Sequence, residues 1–188
     1  MIVIEDRGER ATVVAFSGLA PRNHIFEWAT ALADVPANFI GIRDPDDCWY
    51  MRRRDAVATL VWAALGVVGT KRSVFVGGSA GGFAALLFGR MIGADAVVAF
   101  CPQSACGAAK RALGDDRWPK FCLATPAADI AGRHPGAVIH YAADDDLDVM
   151  HAGRLDAERR EWPAGGHNLP RVLKDGGHLS LALNEALT

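Results

Sequence analysis

The sequence predicts an α/β fold, a three-layer sandwich in which a mainly parallel, twisted sheet carries helices on both faces. Three observations predict it. Short apolar, β-branched runs alternate with stretches of helical periodicity along most of the chain, and such alternation calls for right-handed crossovers and a parallel sheet. The stretch Ser73 to Arg90, SVFVGGSAGGFAALLFGR, passes directly from a strand to a glycine-rich turn to an amphipathic helix. The chain has 188 residues, 51% of them apolar, which suffices for one substantial core and is short for two. A single domain spanning 1–188 is therefore expected.

In chain order, Ile2 to Ile4 reads as a short edge strand, and Asp6 to Glu9 as a turn. Thr12 to Phe16 is a buried strand by its β-branched content. A loop of small residues, 17–23, precedes Phe26, Trp28, Ala29 and Leu32, whose spacing predicts a helix. Asn38 to Arg43 is the next strand. The acids of Asp44-Pro45-Asp46-Asp47 are placed to accept from backbone amides or to cap the following helix. Val57, Leu60, Val61, Ala64 and Leu65 mark one face of a helix over 50–68, with Arg52, Arg53 and Arg54 as a solvated start. After the Ser73–Arg90 strand and helix, Ala94 to Phe100 supplies another strand. Prolines and glycines then break the rhythm over 101–135, a candidate wall or lid with a helical piece at 104–113. Ala137 to Ala142 restores a strand, Asp148 to Glu158 a helix, Arg159 to Trp162 a brief strand, and a helical region broken at Gly176-Gly177 closes the chain.

Composition excludes several classes of function. A net charge of −2 and the absence of a basic tail or basic helix leave no electrostatic footprint for nucleic acid or an anionic membrane. Met1-Ile2-Val3-Ile4 runs straight into Glu5, Asp6 and Arg7, unlike a signal peptide, and no apolar run has transmembrane length. The four cysteines lack Cys-x-x-Cys spacing and a histidine ligand pattern, so neither a metal nor a redox pair is expected, and free thiols in a reducing cytoplasm are.

The chemistry-bearing motif is Gly77-Gly78-Ser79-Ala80-Gly81-Gly82. Strand, Gly-x-Ser-x-Gly and helix in that order match a nucleophile elbow, which lifts a serine hydroxyl above the sheet on a strained turn, the alternative being an ordinary glycine-rich turn between a strand and a helix. A phosphate loop does not fit, because its lysine and its glycine spacing are missing.

With Ser79 followed by an acidic cluster at 144–148 and then by His167, each just beyond a strand, the chain resembles the α/β-hydrolase superfamily over nearly its whole length. The resemblance implies the minimal core of that fold, an open site, and a small-esterase activity with no cofactor or metal. It implies the chain order nucleophile, acid, histidine: Ser79 attacks, and His167 moves the proton in preference to His178, which also follows two glycines but stands beside the terminal helix. His24, His134, His140 and His151 are strand or helix positions without a role. The acid is placed at Asp148, followed by His151-Ala152, with Asp145, three residues beyond Ala142, as the alternative; helix capping alone accounts for an aspartate at 148. The resemblance places one oxyanion donor at the Ala80 amide, and the other at Gly18 or Leu19. The expected substrate is a small-molecule or saccharide ester. Acyl transfer to an alcohol or sugar is the alternative, with Trp49, Tyr50, Trp118 and Trp162 as possible stacking faces, and a non-catalytic accessory or binding protein is the reading from a different class.

Overall fold

The computed structural model describes residues 1–19, 26 and 28–188. Nine strands are present among them: β1 (Ile2–Glu5), β2 (Ala11–Phe16), β3 (Asn38–Ile42), β4 (Arg72–Gly78), β5 (Ala96–Phe100), β6 (Ala105–Cys106), β7 (Ala128–Asp129), β8 (Gly132–Ala142) and β9 (Leu155–Trp162). The helices are α1 (Arg54–Val68), α2 (Ala80–Ile92), α3 (Gly107–Ala112), α4 (Pro119–Ala124), α5 (Asp146–Gly153), α6 (Leu169–Asp175) and α7 (Leu179–Leu187). Seven strands form one sheet in the order β1-β3-β2-β4-β5-β8-β9, while β6 and β7 pair separately. β1 runs antiparallel at the edge, and every other pairing in the large sheet is parallel.

The apolar runs at the sheet centre read as continuous because both faces are covered. Along β2 the side chains alternate: Val14 and Phe16 enter a core with α1 and α2, whereas Val13 and Ala15 enter a second core with Trp28, Leu32, α6 and α7. In β4, Phe75 faces the first layer and Val74 and Val76 the second. The parallel strands all finish on one edge, so the loops after β2, β4, β5, β8 and β9 meet there, the usual place for a site in an open α/β sheet.

Most elements stand where the sequence puts them, with three corrections. The helix expected at Phe26–Leu32 is a series of turns over 28–37 among the described residues. Its apolar spacing is satisfied by anchoring instead: Trp28 donates its indole N–H to the Phe16 carbonyl at 3.1 Å, and Trp28, Leu32 and Val35 are all buried. The helix expected to reach Glu158 stops at Gly153, and residues from Leu155 onward belong to β9. The reason lies in β8, which begins at Gly132 rather than Ala137 and pairs Gly132 with Leu155 and Arg133 with Asp156 across an irregularity at 133–138. The helical piece at 104–113 starts only at Gly107, because Ala105 and Cys106 are taken by β6. His24 and most of the loop after β2 lie outside the described residues. None of the helices is long and apolar enough to cross a membrane among the described residues.

Candidate active site

The turn between β4 and α2 has the geometry its glycines foreshadow. Ser79 takes φ 55°, ψ −121°, a region costly to any residue with a Cβ, by about 1–3 kcal/mol. A side chain at Gly77 would run into the Gly81 carbonyl, and one at Gly81 into the Phe16 carbonyl. The elbow is thus pressed against itself and against the end of β2, and the Ser79 amide is tied to the Phe100 carbonyl at 2.9 Å.

His167 reaches this serine from the loop after β9. Its Nε2 lies 2.8 Å from Ser79 Oγ, and its Nδ1 lies 2.9 Å from each oxygen of Asp148. Gly165 and Gly166, both with positive φ, turn the chain so that their amides bond the Asp144 carboxylate. That pair of donors lowers the Asp144 pKa and holds the histidine loop against the loop after β8.

The structure separates the two candidate acids. Asp145 is the N-cap of α5, accepting from the Asp148 amide at 3.0 Å, and no bond joins it to His167 among the described residues. Asp148 stands three residues later, in the first turn, with its side chain fully buried against His167. Capping therefore accounts for Asp145 and not for Asp148. Burial pushes the Asp148 carboxyl up, yet donation from His167 and Arg117 outweighs it and leaves the pKa lowered.

Arg117, Asp115 and Lys110 are not singled out by the sequence, and His151 reads there as a helix position without a role. Arg117 Nη1 lies 2.9 Å from Asp148 Oδ1 and 3.3 Å from Asp145 Oδ2, while its Nη2 bonds Asp115 at 2.9 Å. Asp115 is fully buried with Lys110, 2.9 Å away, and accepts from His151 Nε2 at 3.0 Å. His151 Nδ1 in turn accepts the Ser104 amide at 3.1 Å and lies 2.9 Å from Ser104 Oγ. Burial raises the Asp115 carboxyl, but these three partners together drive it far below the usual carboxylate range.

A cavity of about 380 Å³ opens over Ser79. Its walls are Leu19, Trp28, Trp118, Pro170 and Leu179, and Arg171 and Lys174 stand on its α6 side. Gly18 and Leu19, the candidate second oxyanion donors, both line it. Ala80, the candidate first donor, begins α2, where amides have no intrahelical partner and the helix dipole favours negative charge. Trp118, in the left-handed region at φ 56°, packs its ring 4.8 Å from that of His167. Of the four aromatic candidates only Trp118 lines the cavity: Trp49 and Tyr50 are core residues, and Trp162 packs on His140 and His178.

The remaining histidines lie elsewhere. His178 is exposed at the start of α7, and His134 and His140 are buried in β8, where burial lowers the His140 pKa to about 4. His151, expected to have no role, is instead a buried hub. Cys101 Sγ, Asp148 and His167 offer ligand atoms within 4.8 Å of one another. The Arg117 cation already on Asp148 opposes a metal there, as does a thiol whose pKa burial and the Asp148 charge push up. All four cysteines are buried free thiols.

No family model and no curated protein matches the sequence. Solved structures do. The capsule O-acetyltransferase of Neisseria meningitidis serogroup A superposes with a TM-score of 0.72 at 12% identity, over 100% of this chain and 91% of that one. A glycosylation-associated protein complex from Streptococcus agalactiae gives 0.76 at 14% identity, over 100% of this chain and 44% of that one. A lidless α/β serine hydrolase from Xanthomonas campestris gives 0.54 at 14% identity, over 98% and 87%. At these identities the likeness is one of architecture, and the protein has the α/β-hydrolase fold in a minimal three-layer form.

Proposed function

We propose that the protein is a serine hydrolase that cleaves a small carboxylic ester through an acyl-enzyme on Ser79. The observation that carries this reading is the unbroken hydrogen-bonded chain Ser79–His167–Asp148 with its serine on the floor of a cavity. His167 Nε2 takes the hydroxyl proton as Ser79 Oγ attacks the carbonyl, and returns it to the leaving alcohol; Asp148 holds the imidazole in the required tautomer. The Ala80 amide and that of Gly18 or Leu19 receive the oxyanion. Water, activated by the same histidine, then releases the acid. The route draws on no cofactor. Apolar walls suit an acyl chain, and a lining that includes Arg171 and Lys174 and, among the described residues, no carboxylate suits a neutral or anionic substrate, with Asp175 3.8 Å from Arg171 outside it.

A second reading is acyl transfer, in which an alcohol or sugar hydroxyl replaces water. The architecture shared with a capsule O-acetyltransferase favours it, as does Trp118 at the cavity, a flat face on which a sugar ring can stack. The decisive experiment is labelling with a serine-directed fluorophosphonate. Labelling lost in Ser79→Ala and kept in Ser104→Ala supports the enzyme; a folded wild-type protein that fails to label is an accessory or binding protein instead. Product analysis with and without a hydroxyl acceptor separates hydrolase from transferase.

A further inference from the structure

Arg117 stands between two sets of buried charge. On one side its Nε and Nη2 grip Asp115, which is fixed by Lys110 and His151. On the other its Nη1 meets Asp148, Asp145 and the edge of the His167 ring, whose Nδ1 is 3.3 Å away. Nδ1 and Nη1 both donate to the Asp148 carboxylate, so their approach to each other is a contact between two donors rather than a hydrogen bond.

The charges in this cluster do not balance. Lys110 and Arg117 face Asp115, Asp145 and Asp148, so with both imidazoles neutral the set carries one surplus negative charge, and it reaches neutrality when His167 is protonated. Without Arg117 the surplus would be two, close to an imidazole whose ring atom is one hydrogen bond from Asp148. Opposite charges at this range favour the charged form by about one to three pH units. An imidazole held in its protonated form cannot accept the Ser79 proton.

We propose that Arg117 is a positioning residue that offsets the pull of Asp148 and the neighbouring Asp145 on the His167 proton, keeping Asp148 ionised while leaving the imidazole free to act as a base. Charge is one half of the role and geometry the other. Arg117's planar fork reaches Asp115 and Asp148 at once, which the single ammonium of lysine does not reproduce. This inference deepens the hydrolase or transferase reading of the same site and rests on it for its catalytic meaning, but not for its measurement.

The other groups facing the pair are Ser79 at the elbow, Cys101 at the end of β5, Asp144 behind the histidine loop, and Arg171 and Lys174 across the cavity. None is altered by the test. The experiment is an NMR titration of the His167 ring in protein labelled at histidine, beside the pH profile of kcat/KM on a nitrophenyl ester. In Arg117→Met the ring titration and the acid limb of the profile both move to higher pH by about one unit. Arg117→Lys moves them less. Asp145→Asn, which keeps a capping side chain, moves them to lower pH. A His167 titration unmoved in folded Arg117→Met overturns the proposal, and so does one unmoved in Asp145→Asn should the methionine variant not fold. A ring that shifts as stated in a protein without esterase or transferase activity supports the electrostatic role and defeats the functional reading instead.

Discussion

Among the described residues the molecule holds two Ser–His–Asp arrays, and Arg117 links them. Ser79–His167–Asp148 lies at the cavity; Ser104–His151–Asp115 lies wholly inside, with all three residues fully buried. The residue types are the same, but the wiring is reversed. In the first array Nε2 faces the serine and Nδ1 the acid; in the second Nδ1 faces the serine and Nε2 the acid. Ser104 Oγ also accepts from Arg154 at 2.8 Å, and no described cavity reaches it. Ser79 stands on a strained elbow beside a helix start, whereas Ser104 sits in an ordinary buried loop. Three residue types in hydrogen-bond contact therefore do not make a reactive site. On the function proposed above, access, backbone strain and a helix start able to receive an oxyanion distinguish an array suited to attack from one suited to holding a loop together.

The comparison can be broken at each of its joints. The largest expected effect is on rate: Asp148→Asn leaves the geometry but presents the wrong donor to His167, and kcat falls by roughly 10³- to 10⁴-fold. Asp145→Asn stays within about tenfold, since its carboxylate caps α5 and meets Arg117 rather than the imidazole. Equal losses in the two would dissolve the assignment of roles. Next comes stability. Asp115→Asn strands Lys110 in the interior and lowers unfolding free energy by about 3–5 kcal/mol at neutral pH, measured by urea denaturation. Because the folded Asp115 pKa is strongly lowered, its contribution is complete above the ordinary carboxylate range. It is lost as pH falls from about 4 toward the folded value, so wild type and variant converge on acidification.

How far the sequence led is seen best at this site. Ser79 was legible because its signal is local: two glycines crowd a turn between a strand and a helix, and nothing distant alters that. His167 was legible from chain order. The acid was legible only as Asp148 ahead of a close alternative, because Asp144, Asp145, Asp146 and Asp148 differ only in where α5 begins, and helix ends are set by tertiary fit. A finer clue was present in the spacing of Asp145 and Asp148, that of an N-cap and its third helical residue, which leaves the later acid free to turn inward. Lys110, Asp115 and Arg117 were illegible for another reason: they come from the irregular stretch after β5, whose course depends on the small β6–β7 pair and on His151, one helical turn from Asp148. The turns described over 28–37, where the spacing predicts a helix, show the same limit, since periodic apolar residues report burial and only indirectly report hydrogen bonding.

Two smaller effects sharpen the contrast. Ser104→Ala removes contacts to His151 and Arg154 and costs about 1–2 kcal/mol, a lower melting temperature with fluorophosphonate labelling within a few-fold of wild type. Ser79→Gly acts in the opposite sense, abolishing labelling while stabilising the fold by about 1 kcal/mol, because glycine relieves the positive φ at the elbow. A destabilised Ser79→Gly would mean that the elbow stores no strain.

The indole of Trp118, 4.8 Å from the His167 ring and within 5.3 Å of the Arg117 guanidinium carbon, makes the site its own optical reporter. A protonated imidazole quenches a neighbouring indole more strongly than a neutral one. The difference in fluorescence between the wild-type protein and Trp118→Phe, followed against pH, therefore traces the charge on His167 directly, with no label, no substrate and no turnover.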